Sequence, residues 1–276
     1  MAERRRTPLS RQHRRAFPCV VSEVKQLTPL MRRITLEADE FSTYELLAAD
    51  EYFGLMIPNE HGLKLPASPP TTITPRGLIA LIPDHLRPDV RWYTVREHRR
   101  QERQVDVDMV LHGQGRTGGP AGNWALRAQP GDIVGFCECK GNYAPEPEDR
   151  TRLFIGDETS LPAISALLES PRPGPGTRRL DPEGTDVHIE VPTAEDIQTI
   201  ASDVPVTWHI RGEGRPGTAL LDALPALHLS PETDYVWLCA EALTVKQIRR
   251  HLVGTVGIDR SRILFSGYWR LGEART

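Results

Sequence analysis

Apolar and polar residues alternate in short runs through the first half of the chain, and a period of two is the period of a β-strand. Residues 17–25 and 32–37, rich in β-branched side chains, flank the turn Leu27-Thr28-Pro29-Leu30 and predict an opening hairpin. The apolar run Tyr52 to Ile57, bounded by Asp50-Glu51 and Pro58-Asn59, predicts a third strand buried on at least one face. A polar, proline-rich excursion from Pro58 to Asp89, with room for a short helix, separates it from a fourth strand, Arg91 to Arg96. The charged stretch Glu97 to Gln104 reads as a hairpin connection to a fifth strand, Val105 to Leu111. The tight-turn sequence Gln129-Pro130-Gly131-Asp132 then leads into a sixth, Ile133 to Cys139. Six short strands with only one short helix predict an antiparallel six-stranded Greek-key β-barrel.

The period changes after the linker-like stretch Pro145-Glu146-Pro147-Glu148-Asp149-Arg150. Arg152 to Gly156 is a short apolar strand and Leu161 to Glu169 a helix, followed by strand Asp186 to Val191, helix Glu195 to Ala201 and strand Pro205 to Ile210. Helix Leu220 to Leu227, strand Tyr235 to Cys239, helix Thr244 to Val253 and strand Ile263 to Ser266 complete the series. Alternation of strand and helix means a parallel sheet with crossovers, here a five-stranded nucleotide-binding α/β domain. The expected organisation is a disordered basic tail at 1–16, a barrel at 17–150 and the α/β domain at 151–276, with the Pro/Gly-rich stretch 170–186 as an exposed loop.

Two stretches carry chemistry. In the strand Arg91-Trp92-Tyr93-Thr94, Arg91 and Tyr93 point one way and offer a cation beside a flat ring, while Thr94 turns its hydroxyl the other way. One hairpin later, Gly118-Gly119-Pro120-Ala121-Gly122-Asn123-Trp124-Ala125 opens a short helix whose first N–H groups are free to point at a phosphate. Trp, Tyr, Thr and Val also suit any amphipathic strand, so the pair of stretches matters more than either. In the second half, polar Asp157, Glu158 and Thr159 sit where the first strand ends, and Pro162 takes an early helical position. Arg211, just past the third strand, is placed to fork onto a 2′-phosphate.

These stretches, with Gly156-Asp157-Glu158-Thr159-Ser160-Leu161-Pro162-Ala163-Ile164 and Ser266-Gly267-Tyr268-Trp269-Arg270-Leu271-Gly272-Glu273, resemble the siderophore-interacting protein family, the ferric-siderophore reductases among the ferredoxin-reductase-like flavoproteins. The resemblance implies FAD, with Arg91 on its pyrophosphate, Tyr93 packed on the flavin, Thr94 near N5, and backbone donors from Ala121, Gly122 and Asn123. It adds Trp92, Val110, His112 and Trp124 to the flavin site, and Asp157, Thr159, Pro162, Arg211, Ala240 and Glu241 to a site for NADPH or NADH. Ala240 departs from the family's Gly-Glu-Ala at a strand end, where glycine lets a ligand approach closely. The resemblance sets Tyr268 and Trp269, after the last strand, near the junction of the domains, where they shield the flavin or close the core. Lys140, Lys246, Arg249, Arg250 and Arg270 are candidate anchors for an anionic ferric siderophore, although a solvated helix face also accounts for the three on the last helix.

Composition agrees with a soluble enzyme of this kind. The 276 residues are 39% hydrophobic and 26% charged, with a net charge of −3, which gives no general affinity for nucleic acid. There is no apolar run of bilayer length and no hydrophobic region behind the arginines at 4–6, so the expected place is the cytoplasm and the expected state a monomer. Cys19, Cys137, Cys139 and Cys239 lack the spacing of a zinc or iron–sulfur set. No acid, base or nucleophile is demanded of the protein if a flavin carries the electrons, and no Ser/His/Asp or Cys/His constellation stands out. Two rivals stay open: another flavoreductase that serves a protein or free flavin, and a non-catalytic protein that binds siderophore or flavin.

Overall fold

The structure, a computed structural model, describes residues 7–67, 70–111 and 119–273, which divide into two units, Leu9–Gly141 and the chain from Asn142 onward. The division falls before the linker-like residues 145–150, so these belong to the second unit. Among the described residues no helix is long and apolar enough to cross a membrane.

The first unit holds eight strands: β1 (Leu9–Ser10), β2 (Ala16–Thr28), β3 (Met31–Glu37), β4 (Tyr52–Ile57), β5 (Asp89–Thr94), β6 (Glu97–Arg99), β7 (Gln104–Val110) and β8 (Ile133–Gly141). They pair in the order β5-β4-β8-β2-β3-β7-β6, with β1 added on β8. The two ends of this path, β5 and β6, are consecutive in the chain. Between them Val95 donates to the Glu51 carbonyl at 2.8 Å and Arg96 to the Asp106 carbonyl at 2.9 Å. Residues 89–99 thus form one interrupted strand that leaves β4 for β7, and the sheet closes on itself. Counted this way six strands surround the core as expected, and the two extra ones are the severed β6 and the short β1. The Glu97 to Gln104 connection of the sequence reading is therefore half strand, with its turn at residues 100–103.

Every second residue of β2, β4 and β7 points inward: Phe17, Cys19 and Val21; Phe53, Leu55 and Ile57; Val105, Val107 and Met109. Phe136 is the centre of the packing, stacked on Phe53 at 4.1 Å and on Phe17 at 5.3 Å, with Phe41 and Tyr44 edge-on at 5.1 and 5.6 Å. Burying a ring of this size stabilises the fold by about 2–3 kcal/mol, and its aromatic contacts add to that. A helix, α2 (Gly119–Arg127), contributes Ala121, Trp124 and Ala125 to the same core. The excursion after β4 holds the short α1 (Pro75–Ala80), started by Thr74 accepting from the Gly77 N–H and by Pro75 in the first turn.

The expected disordered tail at 1–16 is corrected from Thr7 onward. Leu9 and Ser10 pair with Gly141 and Lys140, and two arginines behind them reach buried carboxylates. Arg11 clasps Glu51 through Nε and Nη2, both at 2.9 Å, and lies over the Tyr44 ring. Arg15 holds Glu138 through its backbone N–H at 3.0 Å and through Nε at 2.8 Å. Residues 1–6 lie outside the described residues.

The second unit is a five-stranded parallel sheet in the order β11-β10-β9-β12-β13, made of β9 (Arg152–Asp157), β10 (Thr185–Val191), β11 (Thr207–Ile210), β12 (Tyr235–Glu241) and β13 (Ile263–Trp269). Helices α3 (Leu161–Glu169), α4 (Thr218–Ala223) and α5 (Ala242–His251) accompany it. The expected helix at 195–201 is absent: Thr193 Oγ1 donates to Asp196, a single 3-10 turn covers Ala194–Asp196, and the chain continues irregularly. The stretch has too few apolar residues to bury a helical face, and Ile197 is exposed. The last strand runs three residues beyond its expected end, so Tyr268 and Trp269 lie within it rather than after it.

Arg11→Ala leaves the buried Glu51 carboxylate without its cation and is expected to lower stability by about 3 kcal/mol, with Glu51→Gln recovering much of that loss in the double variant. Urea denaturation of the four proteins checks this, and equal midpoints for native and Arg11→Ala would return the segment to a passive tail.

Candidate functional site

In the barrel, Arg91 and Tyr93 lie on the face of β5 that carries Leu55 and Phe53 opposite them on β4. Tyr93 packs against the barrel core, and burial raises its hydroxyl pKa while Arg91 pulls the other way. Among the described residues Arg91 reaches its own neighbours, the Val90 carbonyl at 2.7 Å and Asp89 at 3.7 Å, and no other element. α2 sits beside this strand and beside β4 and β7. Arg32 on β3 fixes the helix by donating to the carbonyls of Ala125 and Leu126 at 2.6 and 2.8 Å, at its C-terminal end. Gly122 is buried, yet a Cβ built on it meets no atom of the described residues within 4 Å.

Other members of the expected flavin set lie elsewhere. Trp92 and Thr94 are on the opposite face of β5, Trp92 in a satellite cluster with Met56, Leu78 and Val90 under the Arg76 guanidinium at 4.9 Å, and Thr94 buried across from Tyr52. Ala121 and Trp124 give their side chains to the core. Asn123 is the fifth residue of α2, where the N–H belongs to the helical ladder rather than to the free first turn. Val110 ends β7 half-buried, and His112 lies outside the described residues.

In the α/β unit the carboxyl end of the sheet is crowded with acids. Asp157 ends β9; its Oδ1 accepts from the Thr159 N–H at 3.0 Å and hydroxyl at 2.5 Å, and its Oδ2 from the Glu241 N–H at 2.8 Å and the Trp269 indole at 2.9 Å. One carboxylate thereby ties β9, β12, β13 and the turn into α3. The turn demands glycine before it, because a Cβ on Gly156 would stand 1.9 Å from Ser160 Oγ. Glu190, at the end of β10, accepts from the N–H groups of Gly217 at 2.6 Å, Ala219 at 2.9 Å and Leu220 at 3.2 Å and so caps α4. Glu241 caps α5, accepting from Leu243 at 2.6 Å and Thr244 at 3.0 Å. At the start of α3 Ser160 makes no such side-chain cap, and Pro162 stands in the first turn. Of these three helix starts, α3 alone has no acid on it.

Arg211, expected on a 2′-phosphate, lies on carboxylates of the protein. Its two terminal nitrogens sit on the Glu158 carboxylate, both at 2.7 Å, and Nη1 also lies 3.4 Å from Glu190. The fork assigned to a 2′-phosphate is already filled. The concern over Ala240 is removed, since its methyl belongs to the apolar core with Leu238, Val245 and Ile248. Tyr268 packs edge-on against the buried Trp237 at 6.1 Å, and Trp269 serves Asp157, so both close this unit's own structure. Among the cations proposed for substrate, Lys246 and Arg250 are exposed on α5, Arg249 lies over Phe265 at 4.4 Å, and Arg270 meets Glu273 at 3.1 Å. The residues missed by sequence reasoning are Glu190, Arg32 and the partner role of Glu158. Glu190 had a signal: a lone acid at the end of an otherwise apolar strand needs donors.

Comparison with known proteins bears on both units. Residues 20–143 match the family described as Siderophore-interacting FAD-binding domain and residues 150–272 the family described as Siderophore-interacting protein. An uncharacterized protein of Mycobacterium tuberculosis is 32% identical over 271 residues, covering 94% of this chain and 90% of its own. Ferric vibriobactin reductase ViuB of Vibrio cholerae is 28% identical over 275 residues, 96% of this chain and 94% of that one. Among solved structures, a siderophore utilization protein from T. fusca superposes with a TM-score of 0.75 at 26% identity, covering 97% of both chains. A ferredoxin reductase in carbazole 1,9a-dioxygenase, 15% identical with a TM-score of 0.62 over 93% of this chain and 70% of that one, shares the fold.

Burial first, and the neighbouring Glu158 second, push the Asp157 carboxyl up to about 7 against the hydrogen bonds from Thr159 and Trp269. The folded protein then holds a proton that the unfolded chain releases near pH 4, so this contribution to stability is full below about pH 4 and is lost as pH rises toward 7. The urea midpoint is expected to fall from pH 5 to pH 7.5, and Asp157→Asn to reduce that slope; an unaltered slope in the variant would place the titration elsewhere.

Proposed function

This chain belongs to the siderophore-interacting protein family, and from that premise we propose that it is a flavoprotein oxidoreductase, with FAD held by the barrel unit, a nicotinamide dinucleotide taken by the α/β unit and a ferric siderophore as electron acceptor. The observation that carries the reading is the pairing of Arg91 and Tyr93 on one strand face, on a strand that packs against the glycine-containing helix α2. A guanidinium whose partners among the described residues are its own neighbours, a flat ring and a helix that starts with Gly119, Ala121 and Gly122 fit a pyrophosphate and a planar ring system. The match to ViuB, named for the reduction of ferric vibriobactin, over nearly the full length of both chains supports the choice of acceptor.

Bound FAD supplies a change in electron count, taking two electrons as hydride and giving them up singly. The protein's own part is to bind and orient. Arg91 holds the FAD pyrophosphate, the N–H groups of Gly119, Ala121 and Gly122 complete its anion site, and Tyr93 offers its ring to the flavin. Arg32 keeps α2 in place through its C-terminal carbonyls. In the α/β unit the turn from β9 into α3 meets the nicotinamide dinucleotide, because α4 and α5 have their first N–H groups filled by Glu190 and Glu241 and α3 carries no acid on its start. Lys246 and Arg250, one helical turn apart and exposed, are the cations of α5 free to meet an anionic iron complex. Fe(III) bound by hard oxygen ligands leaves that complex more readily once reduced to Fe(II), so no proton transfer from the protein is needed.

Purified protein is expected to be yellow, to bleach anaerobically with a nicotinamide donor, and to recover colour with a ferric siderophore while an Fe(II) chelator reports the metal. Bleaching without recovery would remove the siderophore from the reading. Arg91→Ala is expected to weaken FAD binding about 10–100-fold, the worth of one charge-assisted contact, and full flavin occupancy in that variant would sink the site.

A further inference from the structure

We propose that the α/β unit selects NADH over NADPH, and that Glu158 is the residue that sets this preference by holding Arg211. The inference rests on the nicotinamide reading and makes it specific. In doubly wound sheets the ribose of the adenosine half meets the carboxyl end of the second strand, where an acid receives the 2′-hydroxyl or an arginine receives a 2′-phosphate. Here the second strand is β10, which ends beside Glu190, and Arg211 follows directly from its neighbour β11. The arginine that a 2′-phosphate would need is therefore in the right place and already engaged.

Arg211 is engaged completely. Both terminal nitrogens are 2.7 Å from Glu158, its side chain is 10% exposed, and those of Glu158 and Glu190 are 4% and 0% exposed. To turn toward a phosphate it would have to leave Glu158 buried without a cation. The surrounding charge points the same way. Asp157, Glu158, Glu190 and Glu241 all lie at the carboxyl end of β9, β10 and β12, with Arg211 as the cation in contact with two of them. A phosphate monoester of roughly −2 charge is repelled by Glu158, Glu190 and Glu241, three carboxylates against the one guanidinium, whereas an uncharged ribose diol is not. The next cation along the loop, Arg215, is exposed beyond the turn at Gly212–Gly214 and follows Glu213 by two residues.

The test is calorimetric titration of the FAD-loaded protein with ADP-ribose and with 2′-phospho-ADP-ribose, probes that lack the nicotinamide and cannot reduce flavin. ADP-ribose is expected to bind at least about 10-fold more tightly, and equal or tighter binding of the phosphorylated probe overturns the proposal while leaving the nicotinamide reading intact. Failure of both probes to bind overturns both. In Glu158→Gln, which frees Arg211, the gap is expected to narrow several-fold, while Glu158→Asp keeps it because the carboxylate remains. A gap unchanged in Glu158→Gln removes Glu158 from the role. Should that variant not fold, the ratio in the native protein still decides.

Discussion

A carboxylate taken out of water must be met by a cation or by backbone donors, and both units are built around that constraint. In the barrel, Glu51 and Glu138 are met by Arg11 and Arg15, and Asp106 and Asp108 by Arg99 and Arg33 across β3, β6 and β7. At the carboxyl end of the α/β sheet, Asp157, Glu190 and Glu241 are met mostly by N–H groups, and Glu158 by Arg211. The first group fastens the outside of a closed sheet. The second group fixes where each helix starts.

That difference decides what remains for a ligand. A helix start is an anion site only while its N–H groups are unfilled. Glu190 and Glu241 fill those of α4 and α5 with the protein's own charge, and Gly217, in the left-handed region at φ 89°, allows the chain to turn tightly against Thr244 where Glu190 caps it. Asp157 behaves differently. It accepts from Thr159, Glu241 and Trp269 and leaves the first turn of α3 without an acid. The same side chain that braces three strands is spent on the turn before α3 and on β12 and β13 rather than on a helix cap.

The architecture was legible because it rests on periodicity. Period-two runs placed the six strands of the barrel, the β/α alternation placed all five of the second sheet, and α3 was read to its observed ends. What failed depends on distant partners. Arg11 and Arg15 read as a solvated tail because their carboxylates lie 40 and 123 positions away, and no local pattern couples them. Arg211 read as a phosphate ligand because its partner, Glu158, is 53 positions distant. The helix expected at 195–201 failed for a local reason, since Thr193 and Asp196 close a side-chain turn that competes with the helix. In the candidate site, strand alternation correctly set Arg91 and Tyr93 together and Thr94 apart, but the same alternation also sends Trp92 away from them, under Arg76.

The net charge of −3 conceals two different environments for a cation, which the proposed reading assigns to two dinucleotides. On β5 the Arg91 guanidinium, among the described residues, meets its own neighbours and no other element, and α2 packs beside the strand. At the end of the second sheet the Arg211 guanidinium is buried among carboxylates, and the acids there already occupy the starts of α4 and α5. A pyrophosphate fits the first environment as a charge and the second only as an acceptor of N–H bonds. An extra phosphate on the ribose has no counter-charge waiting in the second. On the proposed reading, what separates the two cofactors is which of the chain's arginines its own carboxylates have already engaged, since the turn after the first strand of the second sheet, Gly156 to Pro162, does not have the spacing of a glycine-rich fingerprint.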